Sequence, residues 1–285
     1  SLITGRSRII GLVVAYLNNQ FYPQAVEKIS KALQAEGYHV LIFMASNAEE
    51  NLDRVLDEIL DYQVDGIIAA SVALSSDFAA RCTQEGVPVV LFNRTQDDDR
   101  LSAVTSDNFA GGVKAAEFLM AGGHARIAHI AGWDGASTQR DRESGFMHAL
   151  QQGGHSLFAR VDGRFDEETT RKAARALFDR PDYPDAVFVA NDHMAFLAMD
   201  VIRHELGLRV PDDVSVVGFD DVPLAAWASY DLTTVRQPAN AMVAHTVTTL
   251  LDQIEDNEAA PKRVSIDGPL VIRGSARIPE GLTRS

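Results

Sequence analysis

The stretch DVSVVGFDD, residues 213 to 221, is an apolar run rich in β-branched residues that stops at two adjacent carboxylates, Asp220 and Asp221. Apolar residues without polar alternation mark a strand buried on both faces, the habit of parallel sheets covered by helices. GVPVVLFNR (86 to 94) resembles it, closing on Asn93 and Arg94. Two further pairs repeat the match: HARIAHIAG (124 to 132) with SRIIGLVVA (7 to 15), and YPDAVFVAND (183 to 192) with QVDGIIAAS (63 to 71). The recurrence predicts two α/β units of similar order.

Between the first runs lie PQAVEKISKALQAEGY (23 to 38) and NLDRVLDEILDYQ (51 to 63), which read as amphipathic helices. Gly37, Gly66 and Gly86 punctuate the exits and turns. The expected fold class is α/β, with two similar doubly wound parallel-sheet lobes.

Open sheets of this kind bind ligands beyond the carboxyl ends of their strands. Those ends carry the most unusual polar residues of the chain: Asn18 and Asn19, Asn93 and Arg94, Asn191 and Asp192, and Asp220 and Asp221. Two sheets facing one another would pool these groups in a shared cleft.

Composition narrows the function. The 285 residues carry a formal net charge of −14, which argues against these residues gripping nucleic acid phosphates. No window approaches the roughly 18 consecutive apolar residues of a membrane span, and the start SLITGRSRII lacks a secretory apolar core. The single Cys82 fits a reducing compartment, so a cytoplasmic protein is expected. Histidines are scattered, and neither a Walker loop, a G-x-G-x-x-G nor a G-x-S-x-G elbow is present. No enzymatic role, metal or cofactor is expected.

Several residues carry a specific argument. STQRDRESGFMHAL (137 to 150) reads as a helix capped by Ser137 or Thr138, with Arg142 on the apolar face of Phe146. A core-facing guanidinium needs partners, either a neighbouring Asp or a ligand that its fork of donors can hold. Adjacent strand residues face opposite ways, so one carboxylate of the 220–221 pair faces the ligand, with Asp221 expected to cap the helix around PLAAWASY. Asp107, ahead of NFAGGVKAAEFLMAGG, has the same capping alternative. The segment YLNNQFY (16 to 22), with Trp133 and Phe165, offers aromatic faces for the C–H side of a sugar ring.

These segments, together with SLITGRSRIIGLVV (1 to 14), TSDNFAGGVKAAEFLMAGGHARIAHIAG (105 to 132), RDRESGF (140 to 146), VFVANDHMAFLAM (187 to 199), LTTVRQP (232 to 238) and PLVIRGSAR (269 to 277), resemble one family over essentially the whole chain. It is the effector-binding core of LacI/GalR-family transcriptional repressors, itself similar to periplasmic sugar-binding proteins. The resemblance implies a type I periplasmic-binding-protein-like fold with a ligand cleft between the lobes. The N-terminal lobe would be 1–106 plus 238–265 and the C-terminal lobe 107–237 plus 266–285, with three crossovers near Ser106, Gln237 and Ile266.

Carried over position by position, the resemblance puts Asp107, Arg142, Asn191, Asp220 and Gln237 in the effector pocket, with Thr138 beside the ligand and Phe165 as an aromatic wall. Asn19, Phe21 and Tyr22 are the candidates from the N-terminal lobe. It further implies that Ser1 and Leu2 end a hinge, that GRSR is linker, and that an absent helix-turn-helix head contacts operator DNA. A homodimer and a small-molecule effector, a sugar or sugar acid, are the expected partners. Acids at 107 and 220 suit a neutral sugar, whereas Arg94 and Arg140 leave room for a sugar acid or phosphate. A transporter's periplasmic sugar-binding protein and a sugar-modifying hydrolase are the competing readings.

Overall fold

The structure, a computed structural model, describes residues 5–45 and 49–285; Ser1 and Leu2, the expected hinge end, lie outside the described residues. In chain order the elements begin with β1 (Ile9–Val14), α1 (Phe21–Ala35), β2 (His39–Met44), α2 (Glu49–Asp61), β3 (Gly66–Ala70), α3 (Ser76–Glu85), β4 (Val89–Phe92) and β5 (Ser102–Ser106). Next come α4 (Asn108–Ala121), β6 (Ile127–Ala131), α5 (Ser137–Gln152), β7 (Ala159–Asp162), α6 (Glu167–Phe178), β8 (Ala186–Val189), α7 (Asp192–Asp200) and β9 (Ser215–Asp220). The chain closes with β10 (Thr233–Arg236), α8 (Ala239–Glu255), β11 (Arg263–Ile266) and β12 (Leu270–Val271).

The chain divides into two compact units. Unit 1 holds the described residues up to Ser106 with Pro238–Ile266, and unit 2 holds Asp107–Gln237 with Asp267–Ser285. Ile266 falls in unit 1, one residue beyond the expected boundary, because it pairs with Ser106 as the last rung of β11 on β5.

Each unit is built on a six-stranded sheet. In unit 1 the order is β11-β5-β4-β3-β1-β2, all parallel. In unit 2 it is β12-β10-β9-β8-β6-β7, parallel except for the short β12, which runs antiparallel to β10. The run β4-β3-β1-β2 corresponds to β9-β8-β6-β7, so the repeat legible in the sequence is a repeat of topology. Winding reverses between β1 and β3 and between β6 and β8, the switch points that favour ligand sites.

Burial explains which runs became inner strands. β3, β4, β6, β8 and β9 are buried at every position, as helices on both faces require. The edge strands β2, β7 and β11 carry exposed positions along their length. In unit 1 the core gathers Leu56, Ile59, Ile67, Leu91 and Phe78; in unit 2 it gathers Phe146, Phe188, Phe219, Leu119 and Ile127. The GRSR segment is fastened to unit 1 rather than being a loose linker. Asp65 accepts the backbone N–H groups of Ser7 at 3.0 Å and Arg8 at 2.9 Å, and Arg6 Nη2 donates to the Ile254 carbonyl at 3.0 Å.

Two glycines set the helix packing of unit 2. A Cβ on Gly112 of α4 would strike the carbonyl oxygen of Arg142, and one on Gly145 of α5 would strike that of Phe109. The helices therefore meet backbone to backbone, which fixes where Arg142 projects.

Candidate functional site

At the carboxyl end of the unit 2 sheet, β9 ends on Asp220 and the chain turns sharply. Asp220 has φ 135° and Asp221 has φ 61°, a region that non-glycine residues occupy only when their surroundings over-determine it. Asp221 is held by Arg236 Nε at 2.7 Å and Arg273 Nη2 at 2.7 Å. The expected cap by Asp221 is thus corrected: the short 3-10 turn Pro223–Ala226 has no side-chain cap, and this carboxylate is spent on two arginines.

The Asp220 side chain turns to other partners. Gln237, just after β10, donates from Nε2 to Asp220 Oδ1 at 2.7 Å, and Arg142 Nη2 lies 3.6 Å from the same oxygen. Arg142 also donates from Nε to Asn108 Oδ1 at 3.0 Å and from Nη1 to the Ala190 carbonyl at 2.7 Å. Its guanidinium lies 3.8 Å from the centre of the Phe219 ring, a cation–π contact that keeps the fork planar against β9. Of the sequence alternatives for Arg142, the pairing with a neighbouring Asp is the one seen, and the partner is Asp220.

Around this pair stand the other expected residues of unit 2. Asn191 caps α7, its Oδ1 accepting the Met194 N–H at 2.9 Å. Asp107 caps α4 through the Ala110 N–H at 2.9 Å, so its capping alternative is realised. Thr138 sits in the first turn of α5, one turn before Arg142. Neither Ser137 nor Thr138 caps that helix; the cap position is Ala136, without a side-chain bond, which corrects the expectation. Phe165 has φ 57°, and a Cβ on Gly132 after β6 would strike three of its ring carbons, so the ring packs directly against that strand end. Arg140 is turned away to the Asp134 carbonyl at 3.0 Å.

Asp192, first residue of α7, is fully buried beneath this end. Thr234 Oγ1 donates to its Oδ1 at 2.5 Å and the Val222 N–H donates to its Oδ2 at 3.0 Å. Burial, and after it the charge of Asp220, push its carboxyl up to about 8. The sequence marks Asp192 only as one of several polar strand-end residues; its partners come from β10 and from the backbone after β9, which no local pattern displays.

Unit 1 presents its own strand-end cluster. Ser71 after β3 and Asn93 after β4 both have positive φ, 63° and 74°. Tyr22 Oη and Ser71 Oγ share a 2.5 Å hydrogen bond, and Asn93 Nδ2 donates to both at 3.0 Å. Asn93 Oδ1 is buried with no hydrogen-bond partner among the described residues. Asn19 Oδ1 accepts the Phe21 N–H at 3.0 Å, shaping the entry to α1, and Phe21 stacks on Phe92 with centroids 6.1 Å apart. Arg94 Nη1 donates to the Ser71 carbonyl at 3.3 Å. Asn93, expected only as one of several polar strand-end residues, and Ser71, which the sequence does not single out, are central to this cluster, whereas Phe21 packs into the core.

Among the described residues no group of three His, Cys, Asp or Glu side chains is placed to hold a metal ion. What the strand ends offer is a planar cation, carboxylate and amide acceptors, and aromatic faces, which is equipment for binding.

Known proteins are similar to this chain in sequence and fold. Residues 116–276 match the model of a periplasmic binding protein-like domain. Over 282 residues the chain is 31% identical to the HTH-type transcriptional regulator DegA of Bacillus subtilis (strain 168), spanning 96% of this chain and 82% of that protein. Among solved structures, the transcriptional regulator CelR in complex with cellobiose matches with a TM-score of 0.85 at 31% identity, across 95% of this chain and 85% of that one. A LacI transcriptional regulator from a Rhodococcus species matches with the same TM-score, 0.85, at 28% identity, across 95% and 99%.

The fold and the family match define a periplasmic binding protein-like domain. The chain belongs to the LacI family of transcriptional regulators. It provides the effector-binding core of such a regulator rather than a transporter's sugar receptor.

Proposed function

We propose that the effector is a sugar or sugar derivative and that Asp220 and Arg142 are its principal contacts. The observation that carries this is the fixing of Asp220 by Gln237 and Arg142 on a strained backbone. Sugar hydroxyls both donate and accept, so a carboxylate beside a guanidinium addresses both functions, and prior fixing lowers the entropy lost on binding. Asn191, Thr138, Gln237 and Asp107 supply further polar contacts, and Phe165 a face for the sugar ring. In unit 1 by itself, Asn19 and Tyr22 are the candidate contacts with Phe21 packed behind them, and the buried Asn93 Oδ1 is an acceptor that a polar ligand group would satisfy. The cellobiose bound to CelR supports a sugar over other classes.

The site uses no cofactor and performs no chemical step in this reading. Effector binding controls attachment to operator DNA by a helix-turn-helix domain, since a core of net charge −14 is a poor partner for phosphates. Control needs only unequal effector affinity for two conformations, with a coupling of about 1 to 3 kcal/mol. The regulator acts in the cytoplasm as a homodimer, and exposed Ile42 and Met44 on the edge strand β2 support a self-association surface in unit 1. No helix among the described residues is long and apolar enough to cross a membrane.

A thermal-shift panel of pentoses, hexoses, cellobiose, sugar acids, sugar phosphates and purines tests the effector class. A ligand at about a hundred times its dissociation constant stabilises by roughly 2.7 kcal/mol, a rise of several degrees. A sugar hit is expected; a hit confined to purines would overturn the sugar and leave the family assignment intact.

A further inference from the structure

Asp192 is not among the residues assigned to the effector, yet it ties together the segments that carry them. It opens α7 directly after Asn191. Its Oδ2 takes the N–H of Val222, the residue that follows the strained pair Asp220 and Asp221. Its Oδ1 takes the hydroxyl of Thr234 on β10, three residues before Gln237. The carboxyl lies hard against β9, because a Cβ on Gly218 would meet Asp192 Oδ1 at 2.5 Å. One buried side chain thereby spans α7, β9 with its exit, and β10.

The exit of β9 is clamped twice. Arg236 and Arg273 hold Asp221 by its charge, and Asp192 holds Val222 by a neutral N–H from within. Backbone in such a region persists only where its neighbours impose it, so releasing the inner clamp lets Asp220 turn away.

We propose that Asp192 is a positioning residue that, by clamping Val222 and Thr234, holds Asp220 in its effector-accepting conformation. The proposal rests on Asp220 being an effector contact. The surrounding charges favour the protonated form. Asp220 and Asp221 are the neighbouring carboxylates that raise its proton affinity, while Arg142 on α5 pairs with Asp220, and Arg236 and Arg273 pair with Asp221. His193, next along α7, turns to Glu167 at 3.1 Å, and both donors to Asp192 are neutral. Ionisation therefore sets a second negative charge beside Asp220, and a ligand that displaces water there makes that state less favourable still. By linkage the effector binds better to the protonated form.

The side-chain amide of Gln237, bonded to Asp220, reports on this without any ligand. Its NMR resonances in the wild type are expected to step near pH 8, and in Asp192→Asn the step should vanish with the fold intact. A wild type without the step, or a variant that keeps it, overturns the proposal. Cellobiose titrations at pH 7 and 9 form a second arm: wild-type affinity should fall by up to about tenfold over the one pH unit above 8, whereas Asp192→Asn should bind equally at both. Equal wild-type binding at both pH values also overturns it. If cellobiose binds neither protein, the choice of sugar falls on its own and the amide titration alone decides the role of Asp192.

Discussion

Gln237 grips Asp220 twice: its side-chain amide donates to Oδ1 at 2.7 Å and its backbone N–H donates to the Asp220 carbonyl at 3.1 Å. Gln237 is also the last residue of unit 2 before the chain passes to Pro238. Asp220 is therefore one hydrogen bond away from the residue at which the chain leaves unit 2.

Removing the Asp220 charge exposes the cost of the pair. In Asp220→Ala the buried Arg142 keeps Asn108 and the Ala190 carbonyl but loses its carboxylate. Stability should drop, read from the denaturant midpoint, by up to about 3 kcal/mol, because the buried guanidinium loses a carboxylate partner. An unchanged midpoint would mean that the 3.6 Å contact contributes nothing.

Gly145→Ala tests the close approach of α4 and α5. The added methyl has only the backbone carbonyl of Phe109 to displace, so the helices must separate. A loss of about 1 to 3 kcal/mol is expected, a fall of several degrees in Tm, with weaker effector binding because Arg142 is carried away from Asn108. Wild-type Tm and affinity together would refute the packing argument.

Stability should depend on pH through Asp192. Its carboxyl is held near 8 in the folded protein, whereas an unfolded aspartate releases its proton near 3.9. The folded state therefore binds a proton that the unfolded state has lost, and this contribution to stability is fully present below about pH 4 and is lost as pH rises through 8. Relative to wild type, Asp192→Asn should gain stability with rising pH by up to about 1.4 kcal/mol per unit, levelling off above pH 8. Parallel stability curves for the two proteins between pH 5 and 8 would contradict the assignment.

The Cys82 thiol is pushed up to about 12, by burial first and Glu85 second. Thiolate is the reactive form, so native protein should resist iodoacetamide at pH 8 and react on unfolding. Alkylation of the folded protein at the rate of a free thiol would show that the α3 packing opens readily.

The inner strands were legible because a strand covered on both faces is written as an unbroken apolar run, as in VVLF and SVVGFD. The edges were less so: β7 and β11 are half exposed and four residues each, and β12 has two. The Asp107 cap is legible since its partner is three residues away, whereas the partners of Asp221 are not, since Arg236 ends β10 and Arg273 follows β12. Arg142 stood out by sharing a helical face with Phe146. Asp192 and Asn93 stand out in the sequence only as polar strand-end residues; their partners, and Ser71 altogether, are hidden, because hydrogen bonds between distant segments leave no spacing in the sequence.

The most direct measurement is calorimetric titration of the sugar that stabilises the wild type into Asp220→Asn, with circular dichroism confirming the variant's fold. The asparagine keeps the shape and one acceptor oxygen but loses the charge that faces Arg142 and the effector hydroxyls. Affinity should fall at least about tenfold, the equivalent of roughly 1.4 kcal/mol for a hydrogen bond to a charged group. Full wild-type affinity in a folded Asp220→Asn would contradict the central claim that this carboxylate receives the effector.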